Sequence, residues 1–324
     1  MSTPGFPIRC LRVLAIGLCL QIVSVSAQAA DRLTIMLDWF VNPDHGPIVI
    51  ARERGYFAAE GLEVEAIAPA DPSDPPKLVA AGKADLAVSY QPQLHLQVHE
   101  GLPLVRVGTL VATPLNCLLV RADGPVKSLA DLAGRKIGYS VAGVEEAVLG
   151  AMLASAGLST DKVELINVNW SLSPSLLSGQ VDAVIGAFRN FELNQMAIEG
   201  RPGRCFFPEA HGLPAYDELI YVAHADKLDP DRLRRFLRAT ERAVQDIVND
   251  PQGTWRQFAG TSKELDDELN RRAWLDTVAR FALRPGALDV GRYRRFEQFL
   301  GRAGLTSGTQ PVARLARDLD RGLE

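Results

Sequence analysis

Four short stretches of this sequence set an aromatic residue beside hydrogen-bonding groups: Asp38-Trp39-Phe40-Val41-Asn42, Tyr90-Gln91-Pro92-Gln93, Asn169-Trp170-Ser171 and Phe188-Arg189-Asn190-Phe191-Glu192. A fifth, Ser140 to Glu145, carries Gly143 and Val144 where a helix-like run begins, and unpaired backbone N–H groups collect at such starts. The combination suits capture of a flat, polar ring. Trp39, Tyr90, Trp170 and Phe188 supply stacking faces. Asp38, Asn42 and Glu192 supply hydrogen bonds to the ring edge, and a carboxylate accepts well from a ring amino group. Ser89, just before Tyr90, joins this ligand-binding set, and Gly143, Val144 and Glu145 add donors from a later part of the chain. Taken singly, Phe40 and Phe188 read better as hinge or core packing. Trp39 and Tyr90 stand where the chain leaves a strand, which is where binding residues concentrate.

Catalytic signatures are thin. His95 and His99 have metal-like i, i+4 spacing, but His95-Leu96-Gln97-Val98-His99 lacks the glutamate of a zinc-protease motif. The sequence has neither a Gly-x-x-x-x-Gly-Lys-Ser/Thr phosphate loop nor a Gly-x-Ser-x-Gly nucleophile elbow. The expectation is a binder with no catalytic residue, no metal and no cofactor.

These stretches follow short apolar runs that alternate with helix-like segments from Arg32 to about Val222, the pattern of α/β units. Strands are expected at 33–37, 62–67, 85–89, 105–111, 117–120, 136–139, 163–168, 181–186 and 219–223. Open α/β sheets bind ligands beyond the carboxyl ends of their strands, where the five stretches lie. After Asp229-Pro230 the chain turns helical, with Leu233, Phe236, Leu237, Thr240, Val244 and Ile247 at helical spacing. The aromatic residues Trp274, Phe281, Tyr293, Phe296 and Phe299 read as core. Two α/β sets closed by helices give a first lobe of 31–118 plus 212–324 and a second lobe of 119–211.

The N-terminus reads as a secretory signal, residues 1–30. Arg9 and Arg12 give a positive start, Leu11 to Val25 is almost wholly apolar, and Ala27-Gln28-Ala29 then offers a cleavage frame. The run is short for a bilayer span of about 20 residues. Apolar residues make up 47% of the chain and charged ones 23%, as in a globular protein. The formal charge of −4 becomes −6 once Arg9 and Arg12 are removed, which argues against nucleic acid as a partner. Arg232, Arg234, Arg235 and Arg238 therefore read as a solvated helix face. Cys117 and Cys205 remain in an oxidising compartment, where pairing depends on a distance the sequence does not reveal.

The run Ala51-Arg52-Glu53-Arg54-Gly55-Tyr56-Phe57-Ala58-Ala59-Glu60-Gly61-Leu62-Glu63-Val64 resembles the N-terminal signature of the alkanesulfonate, nitrate and thiamine-precursor binding proteins. Narrower likeness lies in Leu37-Asp38-Trp39-Phe40, Asn42-Pro43-Asp44-His45, Pro69 to Val79, Ser89 to Leu94, Leu172 to Gly179 and Arg189-Asn190-Phe191-Glu192. Together these are similar to the formylaminopyrimidine-binding proteins of bacterial thiamine-precursor importers. The resemblance covers most of 32–222 and is looser over the C-terminal helices. It implies a two-lobed α/β periplasmic binding protein of type II, with two crossovers and a helical C-terminal extension of the first lobe. It also implies a monomer that carries N-formyl-4-amino-5-aminomethyl-2-methylpyrimidine, or a related precursor, to an ABC permease in the inner membrane for thiamine salvage.

Two alternatives accompany that reading. A fungal pyrimidine synthase is similar in fold, and the likeness implies a lysine holding pyridoxal phosphate, a histidine four residues later and a cysteine-rich stretch with iron. Aligned on Asp85, those two positions are Ser89 and Gln93, and serine cannot form a Schiff base. The other alternative is a binder of a different heteroaromatic or of a sulfonate, for which Arg189 is the cation at a strand end.

Overall fold

The computed structural model describes residues 1–3, 5 and 30–319. The expected signal peptide lies almost wholly outside the described residues. Among the described residues, ten strands form two five-stranded sheets. The first runs in the order β2 (Leu62–Ile67), β1 (Asp31–Met36), β3 (Leu86–Tyr90), β10 (Leu219–His224), β4 (Leu104–Val111). The second runs β7 (Glu164–Asn167), β6 (Lys136–Tyr139), β8 (Ala183–Phe188), β5 (Asn116–Arg121), β9 (Gly203–Phe206). Helices cover both, which makes each sheet the centre of one lobe of an α/β fold.

Each sheet is parallel except where the chain changes lobes. β1, β2 and β3 run parallel, as do β6, β7 and β8. β10 is antiparallel to β3 and β4, and β5 is antiparallel to β8 and β9. β5 and β10 are entered through the two links between sheets, 112–115 and 207–218, and not through a crossover helix within one sheet. The break expected after residue 118 falls inside β5. That strand pairs along its length with β8 and β9, so it belongs whole to the second sheet.

Strand β9 carries no sequence signal that distinguished it. Its position explains why the cysteine pairing could not be read. β9 lies against β5, and Cys117 and Cys205 form a disulfide with Cα atoms 5.5 Å apart.

The first core gathers Leu33, Ile35, Leu86, Val107, Tyr221 and Phe236. The second gathers Leu118, Ile137, Leu149, Met152 and Ile185. The Pro230–Asn249 helix is capped by Asp229, whose side chain accepts from the Arg232 N–H at 3.1 Å, and buries Leu233, Phe236, Thr240, Val244 and Ile247. Its arginine face is paired and not merely solvated: Arg232 meets Asp85 at 2.7 Å, Arg235 meets Asp31 at 2.5 Å and Arg238 meets Glu60 at 2.6 Å. Trp274, Phe281, Tyr293 and Phe296 are buried, with Phe299 partly so. His95 and His99 both hold Glu297, at 2.7 and 3.1 Å, tying the Gln91–His99 helix to the Val290–Arg302 helix. Among the described residues no helix is long and apolar enough to cross a membrane.

Candidate functional site

A cleft of about 630 Å³, counting the space at its mouth, lies where the ends of the strands of both sheets meet. Asp38, Trp39, Asn42, Tyr90, Val144, Glu145, Phe188 and Glu192 of the expected set line it. Asp44, Asn116, Gly186, Phe191, Tyr216 and Glu218 join them.

The first-lobe wall is a hydrogen-bonded chain. Asp38 Oδ1 pairs with His45 Nε2 at 2.9 Å, and the Tyr90 hydroxyl donates to Asp38 Oδ2 at 2.9 Å. His45 Nδ1 accepts from the Asn42 N–H at 3.3 Å, so Nε2 carries the proton given to Asp38. Asp38 thus has both oxygens engaged and orients Tyr90. Burial and the neighbouring Asp38 push the Tyr90 phenol well above its usual range. The Asn42 side chain accepts from the Asp44 N–H at 2.8 Å and donates to the Phe40 carbonyl at 3.1 Å, closing the turn through Pro43. Asp44 accepts from Thr277 at 2.9 Å, and burial raises its carboxyl to about 6.

The second-lobe wall carries two further acids. Glu145, in the first turn of the Val144–Ser155 helix, accepts from the Ser140 N–H at 2.7 Å. Burial raises it to about 8. Glu192 begins the Glu192–Ile198 helix, accepts from the Phe188 N–H at 2.7 Å, and is raised by burial to about 7. Glu218, just ahead of β10, accepts from the Leu115 and Asn116 N–H groups at 2.5 and 2.8 Å. Burial raises it to about 7 as well. Tyr90 and Phe188 meet edge to face at 6.3 Å. The buried Tyr216 hydroxyl borders the cleft beside Glu218.

Three expected residues are not brought to the wall. Ser89 and Tyr90 point to opposite faces of β3, so Ser89 is buried and donates to Gln93 Oε1 at 2.9 Å. The Gly143 N–H is taken by Glu146 Oε2 at 2.5 Å, in a cap of its own helix. Trp170 packs on Trp39 with centroids 4.4 Å apart and on Phe40 at 4.5 Å, forming an aromatic cluster beside the cleft. Arg189, the candidate anion contact, is consumed elsewhere. It donates to Glu209 at 2.6 and 3.0 Å and to the Leu115 and Asn116 carbonyls at 3.2 and 3.0 Å.

Of the described residues lining the cleft, none is lysine, arginine or histidine, whereas five are aspartate or glutamate. Such a wall accepts hydrogen bonds from N–H groups and attracts positive charge. The Ser89–Gln93 pair occupies the positions that the synthase resemblance gives to lysine and histidine. It offers no amine, so these residues do not fit pyridoxal phosphate.

Two mixed sheets, linked twice, around a cleft define a periplasmic binding-protein fold. The alkanesulfonate-binding protein SsuA of Xanthomonas axonopodis pv. citri, solved bound to MOPS, superposes with a TM-score of 0.69 at 17% identity, covering 90% of this chain and 99% of that one. The NMT1/THI5-like family model matches residues 42–254, and the chain belongs to that family. A Haemophilus influenzae protein named for thiamine biosynthesis is 54% identical over 278 residues, 86% of this chain and 88% of that one. The formylaminopyrimidine-binding protein of Halalkalibacterium halodurans is 35% identical over 243 residues, 74% of each chain. A 4-amino-5-hydroxymethyl-2-methylpyrimidine phosphate synthase of Schizosaccharomyces pombe is more distant, 27% identical over 265 residues, 78% of this chain and 76% of that one.

Proposed function

We propose that the chain is the exported, periplasmic solute-binding component of an ABC importer. It captures N-formyl-4-amino-5-aminomethyl-2-methylpyrimidine or a related thiamine precursor and hands it to an inner-membrane permease. The observation that carries this reading is the cleft itself: aromatic faces of Trp39, Tyr90 and Phe188 combined with acid side chains and no lining cation. A 4-aminopyrimidine presents a flat face, a donor amino group and ring nitrogens, which match those groups. The Halalkalibacterium halodurans relative, named for binding a formylaminopyrimidine, supports the same ligand class.

In this reading Trp39 and Tyr90 stack on the ring, and Glu192 and Asn42 read its edge. The lobes, divided at 112–115 and 207–218, close by a hinge. Both walls come from one chain, which supports a monomer. A sulfonate would face five acids with Arg189 already engaged, and the Ser89–Gln93 pair disfavours a synthase.

The test is a thermal-shift panel of aminopyrimidines, sulfonates, nitrate and pyridoxal phosphate. An aminopyrimidine at 100 times its dissociation constant stabilises by about 2.7 kcal/mol. A shift with sulfonates alone, or Schiff-base absorbance with pyridoxal phosphate, overturns the proposal.

A further inference from the structure

The cleft is walled beside the inter-lobe links by Asn116, Tyr216 and Glu218, and Asn190 of the second lobe donates to Asp44 of the first at 2.7 Å. Sheet order shows where its mouth lies. The links join β4 to β5 and β9 to β10. In the first sheet β4 and β10 stand at one end and β1 and β2 at the other; in the second, β5 and β9 stand at one end and β7 at the other. A contact between the ends of β1 and β7 therefore joins the lobes on the side remote from the links, where hinge opening separates them most.

Trp170 makes that contact. It follows β7 and packs on Trp39 with centroids 4.4 Å apart and on Phe40 at 4.5 Å, both of which follow β1. Trp39 lines the cleft and also packs against the second-lobe cluster that includes Val168 and Leu172. Phe40 is 52% exposed, so the three rings run from the cleft wall out to solvent. The turn presenting Trp170 is held in place. Asn169 has φ +49°, the one non-glycine with positive φ among the described residues. Asparagine tolerates that region better than most side chains. The Asn169 N–H donates to Asn167 Oδ1 at 2.8 Å, and its carbonyl accepts from the Ser140 hydroxyl.

Resting on the aminopyrimidine reading, we propose that Trp170 is a specificity gate. Closed on Trp39 and Phe40, it admits a pyrimidine with a short side arm and shuts out one carrying a second ring. The chemistry of the wall does not draw that distinction. A thiazolium on the 5-methylene is cationic, and the lining acids attract it. Its bulk at the mouth is what counts against it, a clash that discriminates without any added contact to the preferred cargo. The same closure slows release of the bound ring.

The experiment is calorimetry and stopped-flow dissociation with two probes sharing one ring: N-formyl-4-amino-5-aminomethyl-2-methylpyrimidine and thiamine, which adds the thiazolium. The wild-type protein should bind the one-ring compound more tightly. Trp170→Ala should bind thiamine about tenfold more tightly than wild type does and release the one-ring compound faster. Trp170→Phe, which restores a ring, should behave as wild type. Phe40→Ala alters an exposed side chain without emptying a core, and it should shift thiamine binding in the same direction. A gain of affinity for the larger compound is not what loss of folding produces. Equal binding of the two compounds by wild type, or a thiamine affinity that rises in neither alanine variant, overturns the gate and leaves the aminopyrimidine reading standing. Failure of both compounds to bind the wild-type protein overturns both.

Discussion

Asn190 Nδ2 donates to Asp44 Oδ1 at 2.7 Å, joining the end of β8 in one lobe to the turn after β1 in the other. The same amide reaches Thr277 Oγ1 at 2.7 Å, and the nearby Asn194 reaches Asp276 at 2.8 Å. These bonds tie one lobe directly to the other. Asn190→Ala removes the first two bonds, each worth about 1 kcal/mol. The ligand-free protein should then open, seen as a larger radius of gyration in solution scattering, and aminopyrimidine affinity should fall by about tenfold. Unchanged scattering and affinity would remove this contact as a latch.

Trp39→Ala takes away a stacking face, and Glu192→Gln takes away a charged acceptor. Each should weaken aminopyrimidine binding by ~1–3 kcal/mol in calorimetry while leaving far-ultraviolet dichroism unchanged. Wild-type affinity in either variant would take that residue out of the site.

Gly186→Ala tests the close approach at Glu145. The new methyl would collide with Glu145 Oε1 in a backbone conformation that L residues avoid. Destabilisation of ~1–3 kcal/mol is expected in denaturant titration, together with weaker ligand binding. A stable, fully binding variant would contradict the packing described.

Glu145 lies at about 8 and Glu192 and Glu218 at about 7, all above their ordinary 4.5 through burial. Between those limits the folded chain holds protons that the unfolded chain has released. Their contribution to stability is therefore complete below about pH 4.5 and is lost as pH rises towards 8. Differential scanning of ligand-free protein should show a melting temperature that declines across pH 6–8, less steeply in E145Q. A rising or flat profile with no difference between the two proteins would show that these acids ionise normally.

The disulfide ties positions 88 residues apart within the second lobe. Reduction should destabilise the protein by about 2–4 kcal/mol, read as a lower melting temperature in reducing buffer. A chain lacking residues 1–30 and kept unreduced should yield no reactive thiol after denaturation; two thiols per chain would disprove the pairing.

Much of the lining of the cleft was legible because the parallel strands carry it at their carboxyl ends. Trp39, Tyr90, Glu145 and Glu192 follow from that rule alone. Asn116 and Glu218 escaped it for the complementary reason. β5 and β10 run antiparallel to their neighbours, so they bring their amino ends to the cleft. Strand direction is set by the links between sheets, and no local pattern in Asn116–Arg121 or Leu219–His224 records it. Ser89 failed through alternation: adjacent residues of β3 face opposite ways, and the sequence around Tyr90 does not say which face is the cleft. Asp44 lay within a stretch quoted for its likeness to relatives. Its role became visible only with Thr277 and Asn190, distant in sequence, against it.

Glu218 grips the N–H groups of Leu115 and Asn116, so the end of one inter-lobe link is pinned to the end of the other. Glu218 and Asn116 also line the cleft. The joint of the molecule and part of its grip are thus made of the same residues. Evolution cannot retune taste at these two positions without also altering how easily the jaws swing, so changes of cargo and changes of motion are inherited together.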